Sequence, residues 1–203
     1  KGLTKVEPAL AMSKAWLGEK QSVQFVLIPS EVSCLMAFNP SVVLYPKQND
    51  LNKGDIRVVF CFRATGEGHI SSIIFRSAII DKHNDIYLEP ISRFAATPAV
   101  NNCPANFDSN YDVSFPANQL ISERVIFPVS SNESNGMEDA RFVRFQNDDG
   151  TNIYYATYTA YNGFSIRPQI IETKDFHNFK MSKLHGAFAK DKGNKVMSAP
   201  ESR

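Results

Sequence analysis

Glu138-Asp139-Ala140-Arg141 sets two carboxylates and a guanidinium within one short stretch, the densest group of chemically capable side chains in the chain. A carboxyl group that carries a proton when it meets a leaving oxygen can serve as a general acid, which glycosidic cleavage requires. Hydrolysis with inversion needs a second carboxylate on the opposite face of the sugar to activate water. Phosphate is already an anionic nucleophile and needs cationic clamps instead. On an extended backbone, alternation puts Asp139 and Arg141 on one face and Glu138 on the other. A neighbouring arginine favours the ionised carboxylate, whereas burial and a second acid favour the neutral one. On spacing alone a general acid and a strand-edge salt bridge both fit. Arg63, Arg167, Lys190 and Lys192 are candidate clamps for an anion, the lysines fitting a solvated charged turn as well.

The elements around this group read as β. Residues 56–62, 70–80, 141–145, 152–159 and 166–173 are short runs rich in Val, Ile, Tyr and Phe, separated by turn residues. Asn147-Asp148-Asp149-Gly150 predicts a hairpin, because Asp-Gly supplies the positive φ of a tight turn, and Asp81 to Asp85 is a second such site. A short helix is predicted around Ala11 to Trp16, in a lead-in segment covering residues 1–30. Between Pro90 and Pro128 the pattern breaks into Pro, Asn, Asp and Ser, so this stretch is either a long connection or an insertion.

An internal repeat organises the strands. Laying Phe38-Asn39-Pro40-Ser41-Val42 over the stretch leading into Arg141-Phe142 sets Val42 over Phe142, Tyr45 over Phe145 and Asn39 over Asp139. A second strand follows in each copy, ending in Phe62-Arg63-Ala64 and in Tyr158-Thr159-Ala160, and then a third. A unit of three or four short antiparallel strands used twice is the blade of a β-propeller, and two unrelated meanders of a sandwich are the alternative. In a propeller the first strand of each blade faces the central channel, which makes Asn39 and Asp139 neighbours across a site.

Bulk properties set limits. With a net charge of +1 there is no basic footprint for nucleic acid. No apolar run is long enough to span a membrane, and the residues after Lys1 show no signal-peptide pattern. Cys34, Cys61 and Cys103 lack the pairing of a disulfide framework or a metal site and read as idle thiols in a reducing compartment, so a cytoplasmic location is expected. Asn132-Glu133-Ser134 is a formal glycosylation sequon.

Asn135-Gly136-Met137-Glu138-Asp139-Ala140-Arg141 resembles the Gly-x-Glu-Asp-x-Arg signature of glycoside hydrolase family 130. Phe38-Asn39-Pro40 resembles that family's Asn-Pro motif and Phe62-Arg63-Ala64 its Arg-Ala motif. Tyr154 to Tyr161 and Ala64 to Ile73 match as well, so the resemblance runs from about residue 30 to residue 193. It implies an all-β, five-bladed propeller whose first blades occupy residues 31–203, acting on β-mannosides with inversion, by phosphorolysis or hydrolysis. It implies Asp139 as proton donor, in some members through a sugar hydroxyl. Asn39, Arg63, Glu138 and Arg141 become substrate contacts, Arg141 orienting the acid, and Arg63 and Lys192 become phosphate contacts. No metal or organic cofactor is expected. Inorganic phosphate is the expected co-substrate and an oligosaccharide the expected partner, with self-association through unpaired strand edges. The resemblance departs after Lys192-Gly193, where Asn194-Lys195-Val196-Met197 replaces the family's usual continuation, and it implies further blades beyond Arg203.

Overall fold

A computed structural model describes residues 4–5, 34–92, 95–103, 110–186 and 189. The predicted helix at residues 11–16 and the lysines at 190 and 192 lie outside them. The described chain is all-β, with strands β1 (Thr4–Lys5), β2 (Cys34–Leu44), β3 (Ile56–Gly66), β4 (Ser71–Ile80), β5 (Ile86–Leu88), β6 (Ala99–Asn101), β7 (Tyr111–Ser114), β8 (Val125–Ile126), β9 (Gly136–Gln146), β10 (Asn152–Tyr161), β11 (Ile166–Thr173) and β12 (Asn178–Lys183). The five runs predicted from β-branched and aromatic content coincide with strands, the run 70–80 starting one residue before β4.

They form two antiparallel meanders. The first runs β2-β3-β4-β5 with β1 beyond β5, and the second runs β9-β10-β11-β12 with β7 and β6 beyond β12. The stretch 90–128, read from sequence as connection or insertion, therefore supplies outer strands to the second meander. Its signal is short: Tyr111, Val113 and Phe115 alternate and are buried, but Pro and Asn residues crowd the run on both sides.

The repeat holds in the register. Phe38, Ser41 and Val42 pair with Arg63, Cys61 and Phe60 in the first meander. Glu138, Arg141 and Phe142 pair with Thr159, Thr157 and Ala156 in the second. Each inner strand carries its bulge at the same place, between Phe38 and Ser41 and between Glu138 and Arg141. The residue that makes the bulge has φ 53° in both, Asn39 in one and Asp139 in the other. Asn and Asp are the non-glycine types that best tolerate a left-handed backbone, because a short polar side chain can bond locally.

The meanders pack face on face. Val59, Cys61, Ile73 and Phe75 of the first share one buried cluster with Met137, Ala140, Phe142, Tyr154, Ala156, Tyr158, Ile171 and Phe179 of the second. Phe176 is its hub. Fully buried in the turn between β11 and β12, it meets the rings of Tyr45, Phe75, Phe142 and Tyr154 at centroid distances of 5.9, 5.9, 5.5 and 5.0 Å. Such a ring contributes about 3 to 5 kcal/mol against truncation to Ala. The packing is head to tail with respect to the repeat. Cys61 of the first meander faces the second, but its counterpart Thr157 lies on the half-buried far face. The counterparts of Ala156 and Tyr158, namely Phe60 and Phe62, sit in a separate cluster on the far face of the first meander.

At one end the meanders touch through their backbones, where Ser71 of β4 pairs in parallel with Gly136 of β9. Gly136 has φ +135°, and a Cβ there would lie 2.8 Å from the Ser71 nitrogen. Only glycine permits this approach. Gly136→Ala is expected to destabilise the protein by about 2 kcal/mol or more, through strain and a clash with backbone that cannot swing aside. Gly150→Ala, at φ +82° with open space around it, carries the strain without the clash and should lose only about 1 kcal/mol. Urea unfolding of the two variants checks the difference, and equal losses would show that the Ser71 contact is not tight.

Candidate active site

The two bulges bring their left-handed residues together. Asn39 Nδ2 donates to Asp139 Oδ1 at 2.6 Å, across the junction of the inner strands. Further bonds hold the junction: the Phe142 amide donates to Ser41 Oγ at 2.8 Å, and Arg141 Nη1 donates to the Asn39 and Pro40 carbonyls at 2.9 and 2.8 Å.

Arg63 reaches the same place from β3. Its Nε donates to Ser71 Oγ at 2.8 Å, its Nη2 meets Glu138 Oε1 at 2.6 Å, and its Nη1 lies 3.5 Å from Asp139 Oδ1. The guanidinium also stacks on Phe38, 4.8 Å from the ring centre. One planar cation thus serves a hydroxyl, two carboxylates and an aromatic face, a geometry that lysine lacks.

The bulge overturns the alternation expected from an extended strand. Met137, Ala140 and Phe142 turn into the core, while Glu138, Asp139 and Arg141 are all half-buried on the site side. Asp139 and Arg141 share a face as the sequence predicts, and Glu138, expected on the opposite face, joins them; the expected bond from Arg141 to Asp139 is not formed. The Arg141 bonds go instead to the two carbonyls that the first bulge leaves outside the ladder, and the cation beside Asp139 is Arg63. Arg141 supports the acid indirectly by fixing the bulge that carries Asn39.

The structure therefore gathers Asn39, Arg63, Glu138, Asp139 and Arg141 at one junction. Arg167 does not join them. It pairs with Ala160, which pairs with Met137, whereas Glu138 lies in the next row with Thr159 and Pro168, on the opposite face. Lys192 and Lys190 fall outside the described residues. Among the described residues no group of His, Cys, Asp or Glu has metal-binding geometry.

Sequence reasoning missed Glu133. Completely buried, its carboxylate accepts from Tyr111 Oη at 2.8 Å, from the Tyr158 hydroxyl, and from the Val129 and Ser130 amides at 3.1 and 3.0 Å. It ties β7 and β10 to the turn at Ser131–Glu133, which leads directly into Gly136 and the site. The signal was there as Ser130 with Glu133 three residues on, a capping-box spacing. Asn132 of the sequon is buried in the same turn, which closes it to a glycan. Burial pushes the Cys61 thiol well above its usual range, more than nearby Arg141 pulls it down, so this cysteine is inert. Cavities of about 460 and 520 Å³, the first lined by Asp50, Asp55 and Asp81 and the second by Asn102, Asp112 and Lys180, include none of the five site residues.

Arg63→Lys is expected to destabilise the protein by about 1 to 2 kcal/mol, since one ammonium cannot replace three directed donors and the stack. In an Arg63→Lys, Glu138→Gln cycle the two changes should couple by about 1 kcal/mol in urea unfolding. Additive losses would show that the 2.6 Å contact carries no energy.

No protein-family model matches the chain, and no curated protein sequence does. Among solved structures the chain is similar to a Parabacteroides distasonis protein provisionally classed as a glycoside hydrolase, at 15% identity over 93% of this chain and 44% of that one, with a TM-score of 0.42. A second similar structure is described with the family 130 mannoside phosphorylases, a family said to contain glycoside hydrolases that target β-1,2 mannosidic linkages in Candida mannan. It has 15% identity over 93% of this chain and 43% of that one, with a TM-score of 0.39. A third is the β-1,2-mannobiose phosphorylase of Listeria innocua, at 13% identity over 92% and 53%, with a TM-score of 0.38. The chain spans about half the length of these proteins.

Proposed function

We propose that this chain is the front part of a family 130 type β-propeller that cleaves β-mannosides with inversion, by phosphorolysis, with Asp139 as proton donor. The observation that carries the reading is the 2.6 Å bond between Asn39 and Asp139, which joins equivalent positions of two repeats at one half-buried junction. The motif resemblance assigns roles to the same residues. Head-to-tail packing of the repeats supports a propeller over a two-fold sandwich, because heterologous contacts build rings and isologous ones do not. The far face of the second meander, with Phe145 46% exposed, is then the surface on which a further blade packs.

In this mechanism both Asn39 and Arg63 address Oδ1 of Asp139. Oδ2 is the oxygen left to carry a transferable proton. As the bond between the anomeric carbon and the leaving oxygen breaks, that proton passes to the oxygen, directly or through a sugar hydroxyl. A phosphate oxygen attacks the anomeric carbon from the opposite face, giving mannose 1-phosphate and a free sugar. Asp139 is left as a carboxylate whose new charge meets the Asn39 N–H and the Arg63 guanidinium already in place, which is electrostatic preorganisation. No metal or organic cofactor takes part.

Hydrolysis on the same scaffold is the second reading, and one observation favours it. The Arg63 nitrogens face Ser71, Glu138 and Asp139, and Arg141 is bonded to backbone carbonyls. A phosphate would have to draw Arg63 from its carboxylates or find cations elsewhere. A non-catalytic sugar-binding role is the third.

A sugar-release assay on β-linked mannobiose, with and without phosphate, separates the three in a protein that contains this chain. Phosphorolysis yields mannose 1-phosphate only with phosphate, hydrolysis yields mannose without it, and a binding module yields neither. Asp139→Asn should keep the fold and lower turnover of the disaccharide by about 10²-fold or more. The loss should be much smaller with an activated aryl leaving group, which needs little protonation. Unchanged turnover of the disaccharide would remove Asp139 from the acid role.

A further inference from the structure

Phe164 is 99% exposed, far beyond the other exposed large apolar residues, whose values run from 40% to 52%. It stands in the turn between β10 and β11, and that turn is firmly built. Asn162 Oδ1 accepts from the Phe164 amide at 3.0 Å, the Ser165 amide at 2.7 Å and the Ser165 hydroxyl at 3.2 Å. The Tyr161 hydroxyl donates to the Gly163 carbonyl at 3.1 Å. Gly163, at φ +87°, rests against the Asn135 side chain, where a Cβ would lie 3.1 Å from Oδ1. The ring is held out into solvent by a turn with little freedom to tuck it away.

Its position ties it to the site. Tyr161 at the end of β10 pairs with Gly136, and two residues back Thr159 pairs with Glu138. At about 3.3 Å per residue the turn begins roughly 7 Å along the strand from the row of Glu138. The next strand over contributes Ile70, 43% exposed, one residue before the Ser71 that pairs with Gly136. The rim beyond the carboxylates thus carries apolar surface from both meanders, mixed with the amides of Asn135 and Asn162 and the Tyr161 hydroxyl.

We propose that Phe164 is a stacking platform for a second sugar ring, the one joined to the mannoside whose bond Asp139 cleaves, and that it sets the preference for a disaccharide over a simple mannoside. The inference rests on the mannoside reading of the site. A pyranose ring has an apolar C–H face and a hydroxyl rim, and an exposed aromatic face surrounded by amides and a hydroxyl complements both at once. A purely apolar protein partner would offer no acceptor to the Asn135 and Asn162 side-chain N–H groups.

Calorimetric titration of the wild-type protein, Phe164→Ala and Phe164→Trp with methyl β-mannoside and with β-linked mannobiose tests this. Because the side chain packs on nothing, both variants should melt with the wild type. Phe164→Ala should weaken mannobiose about tenfold, the scale for returning roughly 50 Å² of apolar area to water, and leave methyl β-mannoside within about twofold. Phe164→Trp should bind both sugars like the wild type, and mannobiose should shift its tryptophan emission relative to the wild-type control. Equal weakening of both sugars by Phe164→Ala, or of neither, overturns the platform. If the wild type binds neither sugar, the mannoside reading itself fails and takes the platform with it.

Discussion

The structure turns on a constraint that occurs twice: each inner strand must pass through a left-handed residue at one fixed position. That residue inserts an extra position into the strand, breaks the alternation, and leaves carbonyls outside the ladder. Because both meanders do this at equivalent points and meet there, the two irregularities face one another and satisfy each other. Asn39 bonds Asp139, and Arg141 caps the carbonyls of Asn39 and Pro40. Backbone held in a sparsely populated region persists only when its surroundings over-determine it, and such positions cluster at functional sites. The aromatic cluster around Phe176 supplies the surroundings, and the Ser71–Gly136 contact fixes the distance between the meanders.

The same geometry explains how five half-buried polar residues can share a junction without mutual repulsion. Arg63 stands between the two carboxyl groups and is itself fixed by Ser71 and Phe38, so each acid has a directed donor beside it. Buried Glu133 performs a different task on the other side of the turn, where two tyrosines and two amides hold its carboxyl group and, among the described residues, it forms no ion pair. A carboxylate accepting several hydrogen bonds is stable in that setting, and it anchors the segment that delivers Gly136 and Asp139.

Much of this was legible in the residues. β-branched and aromatic runs locate the long strands, and the repeat alone places Asn39 opposite Asp139. What failed was simple alternation at Glu138-Asp139-Ala140-Arg141. A single left-handed residue shifts the phase of everything beyond it, and Asp at that spot looks in sequence like any other strand acid. Glu138 was therefore expected on the face opposite Asp139 and Arg141, whereas all three lie on the site side. Strand β7 was missed because four residues between Pro- and Asn-rich segments carry little periodicity, and its pairing with β12 is decided by tertiary packing. Glu133 was missed because a lone acid beside Ser and Asn reads as surface, and its burial depends on Tyr111 and Tyr158 arriving from distant strands.

The central claim is that Asn39 works through Asp139, two copies of one repeat forming a single acid. The direct measurement is a double-mutant cycle on turnover of β-linked mannobiose, with Asn39→Ala, Asp139→Asn and the double variant. If the pair is a unit, Asn39→Ala should lower turnover about tenfold in the wild-type background and less than about twofold once Asp139 is Asn. Losses that simply multiply would contradict the account and leave Asn39 and Asp139 as independent residues that happen to touch.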